Sequence, residues 1–261
     1  MYRIENKVAL VTGSTTGLGR ELAWQLCAMD AWVVLNGRDQ GKLEKTAQEF
    51  RESGFEVAAV QGDVSSPADC QKIINKCIDA FGRLDILISN AGVSSGGLFA
   101  ETTPETFRKV FDINTLGTIF ITRSALPHIQ NTGGSIVMIS SLAGLVGLPF
   151  SSLYCSSKMA LTAIAQALQV ELADSDVHVG IVYAGFLENA PEKRVIGPKG
   201  ELQPTGERNT IRVQPMDKAS KAIIRVIQKR RRQKVMSVMG KLSYAALRYT
   251  PWLMRIILIR S

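Results

Sequence analysis

The chain has 261 residues, 46% of them hydrophobic and 21% charged, a globular balance with ample apolar content for one large core. Its formal charge of +8 suggests a nucleic-acid partner until it is localised. Twelve of the 31 Lys and Arg lie from Lys218 to Ser261, where there is no Asp or Glu, so the rest of the chain carries 19 basic against 23 acidic residues and is mildly acidic. No apolar run approaches the roughly 20 residues of a membrane-spanning helix, which excludes that class.

The opening "MYRIENKVALVTG" starts a β-like run seven residues in, so no signal peptide is expected and the place of work is the cytoplasm. Cys27, Cys70, Cys77 and Cys155 show no CxxC and no ligand-like histidine spacing, as befits reduced, packed thiols without a metal. In chain order, the strand candidates are "KVALVT" (7–12), "WVVLN" (32–36), "EVAAVQ" (56–61), "LDILIS" (84–89), "SIVMIS" (135–140), "HVGIVY" (178–183) and "KVMSV" (234–238). Helical patterns alternate with them at about 18–29, 41–53, 67–81, 104–129, 152–173 and 216–229, with Pro67 and Pro104 just inside two helix starts. Continuous apolar strands alternating with helices predict an α/β fold, a doubly wound, Rossmann-like parallel sheet of about seven strands with helices on both faces. Residues 1–240 form one domain in this reading. A Pro-, Gly- and charge-rich stretch at about 186–215 is its lid or a disordered insertion, and 241–261 is a basic, apolar C-terminal segment.

Between the first strand and first helix, "ALVTGSTTGLGREL" places glycines at 13, 17 and 19. Glycine lets the backbone turn sharply and approach a pyrophosphate, whose charge suits the free N–H groups at a helix N-terminus. A Gly-rich turn alone is weak evidence, but at the first crossover of a doubly wound sheet it points to a dinucleotide site, the alternative being an anonymous βα turn.

The spacing is TGxxxGxG, and with "GDV" (62–64), "SNAG" (89–92) and "ISSLAG…YCSSK" in that order the chain resembles the short-chain dehydrogenase/reductase family to about residue 240. The resemblance implies that Gly13, Ser14, Thr15, Thr16, Gly17, Leu18 and Gly19 form the cofactor loop. It also implies that Asp63 and Val64 flank the adenine, and that Asn90 and Gly92 border the adenosine ribose. Asp63 can equally cap a turn, and Asn90 can equally hold a strand end. In the family's register the acid that would select NAD falls on Gly37, with Arg38 next. A guanidinium there pairs with a 2′-phosphate, so NADP(H) is favoured; the competing account is an ordinary exposed arginine.

Ser141 ends the fifth strand thirteen residues before Tyr154, and Tyr154 and Lys158 share a helix face one turn apart. Alone, such a pair is common on wet surfaces; the motifs around it give it a reactive meaning. A free tyrosine has a pKa of about 10, so an acid/base tyrosine needs a fixed ammonium and the nicotinamide charge to favour its phenolate. The family implies that Lys158 supplies that ammonium and ties down the nicotinamide ribose. It further implies that Ser141 holds the substrate oxygen and Asn114 a water leading to Lys158. In reduction, hydride reaches the carbonyl carbon while Tyr154 protonates its oxygen. His128 and His178 have no partner pattern and are read as structural or exposed.

After the sixth strand the family's proline-glycine pair is replaced by Ala184 and Gly185. The backbone of Leu187 is then expected at the nicotinamide carboxamide, with Asn189 where the family has threonine. Leu142, Leu145, Val146, Leu148 and Phe150 form either an apolar pocket mouth or packing against a neighbouring helix or subunit. The family resemblance also implies subunit contacts through the helices at 104–129 and 152–173, hence a homo-oligomer.

The expected activity is NADP(H)-dependent interconversion of a carbonyl and an alcohol on an apolar, lipid-like substrate. The rival is a cofactor-binding regulator or scaffold without turnover, which has no need of Asn114, Ser141, Tyr154 and Lys158 together. In the C-terminal segment, "KRRRQK" (229–234) and "YTPWLMRIILIRS" (249–261) suit an anionic membrane surface; packing on protein is the alternative, and no nucleic-acid motif is present.

Overall fold

The β-branched runs become seven parallel strands because helices cover both faces of the sheet they make. In the computed structural model, which describes residues 1–188, 194–205, 213–250 and 252, these are β1 (Val8–Val11), β2 (Trp32–Gly37), β3 (Val57–Gln61), β4 (Ile86–Ser89), β6 (Ser135–Ser141), β7 (His178–Ala184) and β10 (Gln233–Val235). Their order is β10-β7-β6-β4-β1-β2-β3. The chain runs outward from β1 to β3, then returns past β1 to β4 and proceeds the other way. The β1/β4 junction is therefore the switch point where ligands enter a sheet of this Rossmann-like kind.

Alternate strand residues face opposite ways, as the period of two requires. Val11, Leu35, Ile88 and Val182 join one core with α1 (Gly17–Cys27), α2 (Gln40–Glu52) and α7 (Met216–Gln228). Leu10, Val34, Leu87 and Ile181 join the other with α3 (Pro67–Phe81), α5 (Gly117–Thr132) and α6 (Ser152–Glu171). All four cysteines are free and buried, and burial pushes the thiols of Cys27, Cys70 and Cys77 up to about 12. Ser66 and Thr103 cap α3 and α4 (Pro104–Phe111) by accepting from Asp69 N and Thr106 N.

Three stretches differ from the sequence expectation. The single helix at 104–129 is α4, a π-helical turn over Asp112–Leu116, and α5. The stretch at 186–215 is not structureless where it is described. Arg194–Ile196 (β8) pairs with Leu202–Pro204 (β9) on one side and with Ser94–Ser95 (β5) on the other, in a second, three-stranded sheet. The last strand stops at Val235 rather than residue 238, because the Ser237 side chain accepts from Gly240 N at 2.8 Å and starts α8 (Val238–Tyr249). That helix runs across the boundary placed at residue 240. No helix among the described residues is long and apolar enough to cross a membrane.

Candidate active site

The glycine loop leaves β1 with Gly13 at φ +63° and meets α1 at Gly17, φ +55°. Gly19 has no room for a side chain: a Cβ there would sit 2.2 Å from the Gly13 carbonyl oxygen and 2.4 Å from Asn90 Nδ2. The loop is fastened from both sides. Thr12 Oγ1 accepts from the N–H groups of Asn90 and Ala91, and Asn90 Nδ2 donates to the carbonyls of Thr12 and Gly13 at 3.0 and 3.2 Å. Ser14 is buried; its Oγ accepts from Asn36 N at 2.9 Å, so it turns inward toward β2. Asn36 in turn donates through Nδ2 to the carbonyls of Val60 and Gly62. Thr15 and Thr16 complete the turn, and Leu18, inside the first turn of α1, packs against the first core. As at any helix start, the first-turn N–H groups of α1 lack intrahelical acceptors and suit an anion.

At the end of β2, Gly37 faces Thr15, whose Cγ2 lies 2.6 Å from where a Cβ would stand. An acidic side chain at this position would displace Thr15. Arg38, 59% exposed, pairs with Asp63 at 3.6 Å. Partial burial raises the Asp63 carboxyl, but hydrogen bonds from the Ser65 amide and hydroxyl, then Arg38, outweigh it and hold the acid below its ordinary range. Asp63 thus caps a turn and carries a charge partner at once. Val64 is buried, 2.7 Å from the Cβ position of Gly117 at the start of α5.

The reactive candidates sit where β6, α6 and the π turn meet. Ser141 is half-buried at the end of β6, its Oγ accepting from Ala143 N at 3.2 Å. Its neighbour Ser140 is buried and donates to the Lys158 carbonyl at 3.0 Å. Lys158 is 5% exposed, and its Nζ donates to the Ile139 carbonyl at 3.1 Å. Tyr154, one turn earlier on α6, is half-buried. Asn114 is buried in the π turn and clasps Val93 twice: Oδ1 accepts from Val93 N at 2.7 Å, and Nδ2 donates to the Val93 carbonyl at 2.9 Å. Nδ2 also donates to Ser157 Oγ, which donates to the Tyr154 carbonyl. Asn114 thereby locks the start of α6 to the strand end after β4. Gly92 supplies the gap between these groups, since a Cβ there would lie 3.0 Å from Asn114 Oδ1 and 3.1 Å from Lys158 Nζ.

A dinucleotide fits what is present. The loop is kept free of side chains at Gly13 and Gly19, a cation stands at the end of β2, and an ammonium faces the bare backbone of Gly92. Among the described residues no group of His, Cys, Asp and Glu is placed to hold a metal.

Other expectations divide. Leu142 and Leu145 pack on the second core. Val146 and Leu148 are half-buried, and Phe150 is exposed at φ +57°, its carbonyl accepting from Gly97 N at 2.8 Å. Ala184 pairs in register with Ser141. Leu187 bridges to Gln214, while Asn189 lies outside the described residues. His178 is structural, bonded to Ser135 Oγ and the Arg231 carbonyl. Thr12, Asn36 and Ser157 escaped the sequence reading as individual residues. The signal for Asn36 was available, since an amide within a buried apolar strand must find partners.

The sequence model described as "short chain dehydrogenase" matches residues 7–196. An 11-beta-hydroxysteroid dehydrogenase 1A of Arabidopsis thaliana is 36% identical over 217 residues, covering 82% of this chain and 62% of its own length. The chain thus spans less than two thirds of that relative. Versicolorin reductase of Emericella nidulans is 33% identical over 210 residues, covering 80% of this chain and 78% of that protein. Among solved structures, a short chain dehydrogenase/reductase of Burkholderia phymatum in complex with NAD superposes with a TM-score of 0.86 over 97% of both chains, at 24% identity. An alcohol dehydrogenase of Thermococcus sibiricus complexed with 5-hydroxy-NADP gives 0.76 over 89% of this chain and 95% of that one, at 25% identity.

Proposed function

This chain belongs to the short-chain dehydrogenase family, and from that premise we propose that it is an NADP(H)-dependent oxidoreductase interconverting a carbonyl and an alcohol on an apolar, lipid-like substrate. The observation that carries the reading is that buried Lys158 and Asn114 meet at the side-chain-free Gly92, with half-buried Tyr154 one turn before Lys158 on α6 and half-buried Ser141 at the end of β6. A cofactor-binding protein without turnover has no use for that set.

The turn from Gly13 to Gly19 would hold the pyrophosphate, with Asp63 and Val64 serving the adenine, Asn90 and Gly92 the ribose, and Leu187 and, by the family resemblance, Asn189 the carboxamide. Held there, the reduced nicotinamide would supply the hydride for the carbonyl carbon. Tyr154 gives its phenolic proton to the substrate oxygen in reduction and takes it back in oxidation. Ser141 holds that oxygen through its hydroxyl. Lys158, fixed by the Ile139 carbonyl, places a positive charge on the tyrosine's own helix face, which favours release of the phenolic proton. Asn114 keeps the start of α6 in register and borders the route by which a water re-protonates the pair.

NADP(H) is favoured over NAD(H) because Thr15 fills the place an acid at position 37 would need and Arg38 follows it. The name of the hydroxysteroid relative supports a lipid-like substrate. A homo-oligomer in the cytoplasm or at the cytoplasmic face of a membrane completes the reading, with no nucleic-acid partner.

The test is NADPH oxidation across ketosteroids, retinal, 3-oxoacyl thioesters and long-chain aldehydes, repeated with Tyr154→Phe. The phenylalanine ring still packs, so cofactor affinity is kept while turnover falls roughly 100-fold or more, the usual worth of positioned acid/base catalysis. A variant keeping more than about a tenth of the rate removes Tyr154 from the chemistry. Cofactor binding with no turnover on any carbonyl favours the regulator or scaffold instead.

A further inference from the structure

Helix α7 ends on a run of cations that continues through the edge strand β10 into α8. Arg225, Arg231 and Lys241 are exposed, and Lys234 is half-buried on β10. Among the described residues none of these four has a carboxylate within ion-pair distance. They also crowd one another: Lys234 is held below its ordinary value first by burial, then by Lys241, Arg231 and Arg225. One lysine is enough to block pairing at a sheet edge. Four uncompensated cations cost self-repulsion that the fold alone gives no reason to accept.

Large apolar side chains stand beside this charge. Leu242 and Tyr249, 62% and 78% exposed, lie seven residues apart on one stripe of α8, and Trp252 just beyond it is 64% exposed. The residues after Trp252, "LMRIILIRS", carry the same chemistry in sequence and lie outside the described residues.

We propose that the face made by β10 and α8 docks this protein on an anionic lipid bilayer, Arg231, Lys234 and Lys241 meeting headgroup charge while Leu242, Tyr249 and Trp252 enter the interface. The inference rests on the membrane-face part of the reading above and not on its chemistry. Two features favour a bilayer over a protein or nucleic-acid partner. Exposed Lys241 and Leu242 stand side by side on α8, with Tyr249 and Trp252 further along, a mixture of charge and bulky apolar surface that suits the headgroup boundary, where both are accommodated. The remainder of the chain is net acidic, so an anionic surface attracts this end, repels the other and orients the molecule. Gly240 on α8 lies against Leu142, the residue after Ser141, so the docked face adjoins the candidate active site and an apolar substrate has a short route from the bilayer.

The experiment is co-sedimentation of the full chain with vesicles of phosphatidylcholine alone and of phosphatidylcholine with phosphatidylglycerol. Binding is expected only to the anionic vesicles and should weaken as salt rises from about 0.1 to 1 M, where screening shortens from about 10 to 3 Å. Lys234→Gln with Lys241→Gln should weaken binding roughly 30-fold, at about 1 kcal/mol per cation. Leu242→Asp should weaken it further, and Trp252→Phe should abolish the blue shift of tryptophan emission on binding. Unchanged melting temperatures establish that the variants fold. The proposal is overturned by absence of sedimentation, by salt-insensitive binding, by a double variant that binds like the parent, or by duplex DNA binding as tightly at equal phosphate concentration. NADPH turnover in solution is measured separately, so loss of docking and failure of the oxidoreductase reading are told apart.

Discussion

Arg38, just past β2, carries a guanidinium that already has a carboxylate partner, so a 2′-phosphate would have to share it with Asp63. Exposure keeps that pair weak, and a doubly charged phosphate is the stronger acceptor. Arg38→Leu is therefore expected to raise the KM for NADPH roughly ten- to hundredfold, for a charge-assisted contact of about 1.5–3 kcal/mol, with little change for NADH. Steady-state kinetics with both cofactors checks it; equal losses would return Arg38 to the ordinary surface. Spacing in the sequence nominates the candidate residues. The thirteen-residue offset favours Ser141 over Ser140, and Ser140 is spent on the Lys158 carbonyl. The occupation of a side chain was not legible: Ser14 and Asn90 lie inside the cofactor motifs, yet their polar atoms tie the glycine loop to β2 and to the turn after β4. Such roles depend on partners 22 and 78 residues away, and no local pattern encodes them.

At the scale of elements, the seven main strands were readable because burial on both faces leaves continuous apolar runs. Strands β8 and β9 were not, since three residues pairing among Pro, Gly and charge show no periodicity. The π turn was equally hidden, because Asn114 interrupts the helix to reach Val93, a contact between distant segments. A further tie joins β6 and β7 to the residues leading into β10. His178 Nε2 lies 2.9 Å from the Arg231 carbonyl and must donate there, so Nδ1 accepts from Ser135 Oγ at 2.6 Å. The neutral ring satisfies both. Burial, with a smaller contribution from Arg230, lowers the His178 pKa, although the Arg231 carbonyl acts the other way. A depressed folded pKa means that the unfolded chain binds the proton first. The stability this histidine contributes is complete above about pH 6.5 and is lost as pH falls through the lower folded value. Melting temperature should therefore drop on acidification below about pH 6.5, and His178→Gln should flatten that part of the profile. An unchanged slope in the variant would assign the acid sensitivity to other groups.

For the whole molecule, the open question is what covers α5 and α6. Both pack the second core with one side, through Ile121, Ile129, Leu161 and Ala165. On other sides they leave Met159, Val170 and, at the end of the π turn, Leu116 exposed. Single exposed apolar residues are common, and Val170 alone would decide nothing. Helical apolar residues at the two segments that the family resemblance assigns to subunit contact are better explained by a second copy, because a symmetric pairing buries each of them twice. Burying a Met or Val side chain is worth about 1.5–3 kcal/mol, so two such positions on each of two chains supply a useful part of an interface. An aspartate at either would be buried without a partner and would cost more than the apolar contact it replaced. The expected outcome is that the parent chain, of 28.5 kDa, scatters light as a multiple of its own mass. Met159→Asp with Val170→Asp should shift it to the single-chain mass while leaving the far-ultraviolet dichroism of the sheet and helices unchanged. A parent already at the single-chain mass, or a double variant that stays assembled, would move the contact away from these helices and leave their exposed side chains as ordinary surface.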